Sequence, residues 1–135
     1  MESTIEELIR QQITKSTEKL EAAKLLLREN FIDDTISRAY YSIFHAASAV
    51  LLSKGITTGS HSGLKAMFGL HLIETGELPK EFGRFLNRLK DERENGDYDI
   101  FTRFEEEDAK EAVEEAEKFL TEMKKYLKKT QGIKF

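Results

Sequence analysis

The sequence predicts an all-α fold, an antiparallel up-and-down bundle of four to five helices. Three observations lead there. Apolar residues recur at steps of three and four through most of the chain, and no alternating strand pattern reaches a useful length. Proline occurs once, at Pro79, so little interrupts the helical runs. The segments between runs are short, and short connections make consecutive helices antiparallel. The whole chain, residues 1–135, reads as one domain with its core over about 4–129.

The first helix is expected over about 4–29, with Ile5, Ile9, Ile13, Ser16, Leu20, Ala23 and Leu27 on one side. Asn30 and the Asp33-Asp34 pair mark the turn into a second helix, about 36–52, and acidic residues suit a helix N-terminus. Gly55 is its expected stop. Ser60 is placed to cap a third helix, about 61–75, closed by Gly76. Pro79 fits the first turn of a fourth helix, where its missing N–H is not needed, and this helix runs to about 93 or 94. A fifth helix begins near Glu105 in acid and ends among Lys124, Lys125, Lys128 and Lys129, as the helix dipole favours. Its stripe is Ala109, Ala112, Val113, Ala116, Phe119, Leu120, Met123 and Leu127.

Composition narrows the function classes. A net charge of −4 means that any anion binding needs a local patch rather than the field of the whole chain. The absence of cysteine excludes disulfides, thiolate nucleophiles and cysteine-ligated zinc, and fits a cytoplasmic location. The N-terminus shows no basic segment followed by an apolar run, so no signal peptide is expected. No apolar stretch reaches the roughly 18 residues of a membrane helix, so no membrane association is expected. Gly-rich phosphate loops, HExxH, EF-hand loops and Gly-x-Ser-x-Gly are all missing. His61 and His71 are ten apart, too far to chelate from adjacent turns, and neither a metal nor a cofactor is expected.

Two places depart from ordinary patterning. In the second helix Ile36, Tyr40, Ile43, Ala47, Val50 and Leu51 share a core face, while Arg38, Tyr41, His45, Ser48, Ala49 and Leu52 lie opposite. That second face is poor in charge, as a solvated face should not be. Either it forms a homodimer seam through Arg38, Tyr41, His45, Ser48 and Leu52, or the helix is wholly internal. On either alternative His45 also reads as a hydrogen-bonded structural residue, and Arg38 as a partner of Asp34 one turn earlier or a cap on carbonyls elsewhere. In the fourth helix Phe82, Phe85, Leu86 and Leu89 form the core face, and Lys80, Arg84 and Arg88 read as a solvated stripe. Arg93 comes almost three turns after Phe82 and projects from the apolar side. An inward guanidinium needs an anion. It pairs with Asp97 or Asp99, or its planar fork holds a phosphate, with Tyr98 beside it.

Several segments together resemble the HEPN superfamily, and within it the small stand-alone archaeal and bacterial proteins of the UPF0332-like group. They are Asp34-x-x-x-Arg38-Ala39-Tyr40-Tyr41-x-x-Phe44-His45-Ala46, Lys54-Gly55-Ile56, His61-Ser62-Gly63-Leu64 with Phe68, Thr75-Gly76-x-Leu78-Pro79, and Arg93-x-x-x-Asp97-Tyr98. The resemblance spans about residues 5–127. It implies a four- to five-helix bundle that dimerises and pairs with a minimal nucleotidyltransferase in toxin–antitoxin-type modules. It also implies a metal-independent ribonuclease motif, an arginine followed four to six residues later by histidine, that positions RNA phosphate for attack by the ribose 2′-hydroxyl. Arg93 matches the arginine, but Tyr98 stands where the histidine belongs. A phenol with an ordinary pKa near 10 is a poor base at neutral pH, so phosphate binding can survive while turnover falls. The phosphate or nucleotide group would be held by Arg93, Arg38 and Asp97, and His45 could replace the missing imidazole across a seam. Three functions follow from this: a weakly or non-catalytic RNA- or nucleotide-associated module with a nucleotidyltransferase partner, an endoribonuclease using Arg93, Tyr98 and His45, and a structural helical adaptor.

Overall fold

A computed structural model of the chain describes residues 2–88 and 103–135. Among these residues the regular structure is all helical: α1 (Glu2–Arg28), α2 (Ile32–Ser53), α3 (His61–Phe68) continued by a π-helical turn (Gly69–Ile73), α4 (80–88) and α5 (Glu106–Gln131). No helix of the described residues is long and apolar enough to cross a membrane.

The helix ends follow from local chemistry. Asn30 takes the left-handed conformation, φ 65°, and the Asn30 and Phe31 N–H groups return to the carbonyls of Leu27 and Leu26. Gly55 does the same after α2 with φ 76°, and the Gly55 and Ile56 N–H groups bond the carbonyls of Leu52 and Leu51. Both are Schellman closures, which satisfy the last carbonyls of a helix and turn the chain sharply. α2 begins at Ile32, one turn before its expected start, so Asp33 and Asp34 lie inside its first turn. Ser60 caps α3 as expected, accepting the Gly63 N–H at 3.0 Å. At the start of α5 the Glu105 N–H donates to the Asp108 carboxylate at 2.8 Å.

Direction is read from cross-helix contacts. Gln12 meets His45 and Ser16 meets Ser42, so α1 and α2 run antiparallel. Lys24 meets Glu117 and Arg10 meets the Lys134 carbonyl, so α5 is antiparallel to α1 as well. Glu81 meets Lys118 and Arg88 meets Glu111, which makes α4 antiparallel to α5. The long helices therefore alternate up, down, up, down, and α3 with its π-helical turn is the excursion that brings the chain back.

One apolar cluster fills the bundle. Phe119 of α5 packs between Phe68 and Phe82 at ring separations of 5.6 and 5.9 Å. All eight stripe residues expected for α5 are buried. α1 buries Ile9, Ile13, Ser16, Leu20 and Ala23, but Ile5, expected on the same side, is 41% exposed. The third helix also differs from its expected form. Its α-helical part stops at Phe68, and the next five residues widen into a π turn in which the Glu74 N–H reaches back to the Gly69 carbonyl at 2.9 Å. Apolar spacing cannot show this, since one extra residue per turn leaves Leu64, Phe68 and Leu72 all facing the core.

Candidate functional site

α2 is central. Small residues let α1 approach it closely: Ser16 and Ser42 are both fully buried, and each hydroxyl donates to the other residue's carbonyl, at 2.7 and 2.9 Å. Ala39, Ala46 and Ala49 are buried as well. The Ser42 and Ala46 side of α2 is therefore taken up within the chain, whereas of the expected second face only Ala49 is buried. What remains outside is a narrow strip of Arg38, Tyr41, His45, Ser48 and Leu52, of which Arg38 is exposed and the others half-buried.

Along this strip the side chains are organised from below. Tyr40 is completely buried beneath it, with its hydroxyl 2.6 Å from Nδ1 of His61. Tyr41 and Phe44 join Tyr40 and His61 in a cluster of ring contacts, with Phe44 and His61 4.7 Å apart. Ser48 turns its hydroxyl back to the Phe44 carbonyl at 2.9 Å. Arg38 makes no ion pair among the described residues, so the expected bond to Asp34 is absent. Its guanidinium is left to solvent or to a ligand.

His45 is the most constrained member. Its Nδ1 lies 2.8 Å from Oε1 of Gln12 on α1, and because an amide oxygen only accepts, Nδ1 carries the proton. Nε2 keeps its lone pair beside a cleft of about 310 Å³ lined by Lys15, Glu18, Lys19 and His45. Burial, reinforced by the charges of Lys15 and Lys19, lowers the imidazole to about 4. His45 is therefore neutral at pH 7: a hydrogen-bond acceptor, and a weak base. Gln12, Lys15 and Lys19 were not singled out as functional by their pattern, since on α1 alone they are ordinary polar positions. Only the approach of α2 gives them a role.

Arg93, Asp97 and Tyr98 lie outside the described residues. The stripe that precedes them on α4 splits in two. Arg88 is engaged by α5, at 3.0 Å from Glu111 and 2.6 Å from Glu115. Lys80 and Arg84 instead line a cleft against the π-helical turn. Among the described residues no group of three histidine or acidic side chains is arranged to hold a metal ion.

A family model for the HEPN domain matches residues 9–126. The chain belongs to the HEPN domain family. A UPF0332 protein of Thermotoga maritima is 38% identical over 122 residues, covering 90% of this chain and 92% of that protein. A Methanocaldococcus jannaschii protein named "Putative toxin" is 38% identical over 124 residues, covering 92% of each. A UPF0332 protein of Pyrococcus horikoshii is 40% identical over 89 residues, 66% of this chain and 63% of the relative. This HEPN domain thus carries the all-α bundle of its family and has relatives that bear toxin names.

Proposed function

We propose that this HEPN domain works as a dimeric, weakly or non-catalytic module that associates with RNA or nucleotides. Its partner is a minimal nucleotidyltransferase in a toxin–antitoxin-type pair. The observation that carries the low turnover is the state of His45. Tyr98 occupies the place of the motif histidine, and the imidazole on the α2 strip is pushed down to about 4. Neither group accepts a proton readily near neutral pH, whereas the guanidinium forks of Arg93 and Arg38 match phosphate geometry. Dimerisation is supported by the outer strip of α2, which is long, half-buried and, apart from Arg38, free of formal charge at pH 7.

Two measurements test this reading. Co-expression with the nucleotidyltransferase of an adjacent reading frame should yield a stable complex, and failure to co-purify would sink the partnership. Light scattering of the purified chain should give a dimer that Leu52→Asp on the strip converts to monomer.

A second reading, a metal-independent ribonuclease using Arg93, Tyr98 and His45, is favoured by the toxin names of two Methanocaldococcus jannaschii relatives. It requires that the chain cut RNA in EDTA and that Arg93→Ala stop the cutting without unfolding. Absence of cleavage in the parent rules the ribonuclease reading out.

A further inference from the structure

Between the π-helical turn and α4 lies a cleft of about 490 Å³ with three cations along its edge. Its floor is apolar, with Phe68 and Leu86 fully buried below and Leu70, 49% exposed, at its mouth. Its rim carries Lys65 from α3 and Lys80 and Arg84 from α4, against the single carboxylate of Glu74. Among the described residues none of these three cations makes an ion pair. Neighbouring cations behave otherwise: Lys54 pairs with Glu77 at 2.7 Å, Lys118 with Glu81 at 3.2 Å and Arg88 with two glutamates. The adjoining cleft, which shares Arg84 and Asn87, is neutralised by Glu115 on Arg88. A chain of net charge −4 therefore concentrates unpaired positive charge over one apolar hollow.

The backbone builds this hollow. The π-helical turn widens the helix after Phe68, a distortion found often at functional sites because it re-aims side chains at a small cost. Gly83 lets α4 come down on that turn: a Cβ there would stand 3.2 Å from Cγ1 of Ile73. Lys80 and Arg84, one turn apart on α4, flank the same opening.

We propose that this cleft is a nucleoside monophosphate site, taking either a free mononucleotide or the 5′-phosphorylated end of an RNA strand. The flat apolar face of a base lies on Leu70 and Ile73, above the buried Phe68 and Leu86, and the Asn87 amide is placed to bond a base or sugar edge. The phosphate is held by Arg84, whose planar fork matches it, with Lys80 and Lys65 as further charge. The volume suits one nucleotide and sits within the ordinary range for small-ligand pockets. An acidic peptide would use the same charges, but three cations around one apolar hollow of about 490 Å³ match a single phosphate and base better than a running chain. This inference deepens the nucleotide association proposed above and rests on it, giving it a site apart from the α2 strip and from Arg93.

The test is heteronuclear NMR titration of the full chain with AMP, adenosine and inorganic phosphate, and with a 5′-phosphorylated oligoadenylate beside its unphosphorylated form. AMP should shift the amides of Gly69, Leu70, Gly83 and Asn87. Adenosine and phosphate alone should each bind more weakly by at least about tenfold, about 1.4 kcal/mol. Arg84→Ala and Leu70→Asp, both at exposed positions, should each weaken AMP by a similar factor with the melting temperature unchanged. Tighter binding of the phosphorylated oligomer than of AMP identifies an RNA end as the ligand; the reverse identifies a free nucleotide. Shifts confined to the α2 strip and unaltered by Arg84→Ala overturn the cleft while leaving nucleotide association intact. No binding of either ligand, with Arg84→Ala instead breaking the complex with the nucleotidyltransferase, overturns the nucleotide site in favour of a peptide one. Loss of the nucleotidyltransferase complex alone, with AMP still bound at the cleft, overturns the partnership and leaves this site standing.

Discussion

α5 and α2 are both long helices, of 26 and 22 residues, yet they use their surfaces in opposite ways. α5 buries a single stripe, centred on Phe119, and leaves the rest to lysines and glutamates. α2 buries Ile36, Ile43 and Val50 on one side and Ser42, Ala46 and Ala49 on another, with only a strip of half-buried residues between. A one-sided helix needs one neighbour, and its pattern says where that neighbour is. A helix apolar nearly all round needs several, and nothing in its own residues says whether they come from the same chain or from a second copy. Here α1 supplies most of the second contact through the Ser16–Ser42 clasp, and the remaining strip is what a partner can still use.

Substitutions can sharpen that contrast. The largest effect is expected at the α5 stripe. Phe119→Ala opens a cavity between Phe68 and Phe82 and should cost about 3–5 kcal/mol in chemical denaturation. A loss below about 1 kcal/mol would mean that the ring is not packed as described. Next comes the α1-facing side of α2. Ala46→Leu, one turn beyond Ser42, should overpack the close approach and cost about 1–3 kcal/mol. A neutral result would return that face to the role of an open surface.

A smaller effect is expected from His45. Its imidazole, lowered to about 4 in the folded chain from an ordinary 6.5, binds a proton more readily once unfolded. Stability is then complete above about pH 6.5 and declines as the pH falls towards 4. His45→Gln should flatten this slope by on the order of 1–2 kcal/mol, the full shift being reduced by solvent screening of a half-buried group. An unchanged slope between pH 6.5 and 4 would refute the depressed imidazole. The smallest change belongs to the N-terminus of α5: Asp108→Ala removes the bond to the Glu105 N–H and should cost about 1 kcal/mol without touching the core.

Much of the bundle was legible along the chain. The α5 stripe, the Ser60 cap, the Gly55 and Gly76 stops and the core face of α2 follow from periodicity and from the few residues that tolerate a left-handed backbone. The exposed Ile5, the early start of α2 and the π-helical turn were not legible, because each depends on what packs beside the segment rather than on the segment itself. The site residues divide in the same way. Tyr98 is placed at the motif histidine only by the family resemblance, and that placement was made along the chain. His45 could be picked out as the one imidazole of a face whose only other ionisable cation is Arg38, but its proton affinity could not.

Sequence by itself determined the all-α class, the core stripes of α2 and α5 and the Ser60, Gly55 and Gly76 signals, since these rest on spacings of three and four and on the identity of single residues. Tertiary structure alone decided that burial, with two lysines of α1, holds His45 neutral, and that Lys65, Lys80 and Arg84 share one hollow. Proton affinity and local charge density depend on distances between residues far apart in the chain, and those distances exist only once the helices have packed.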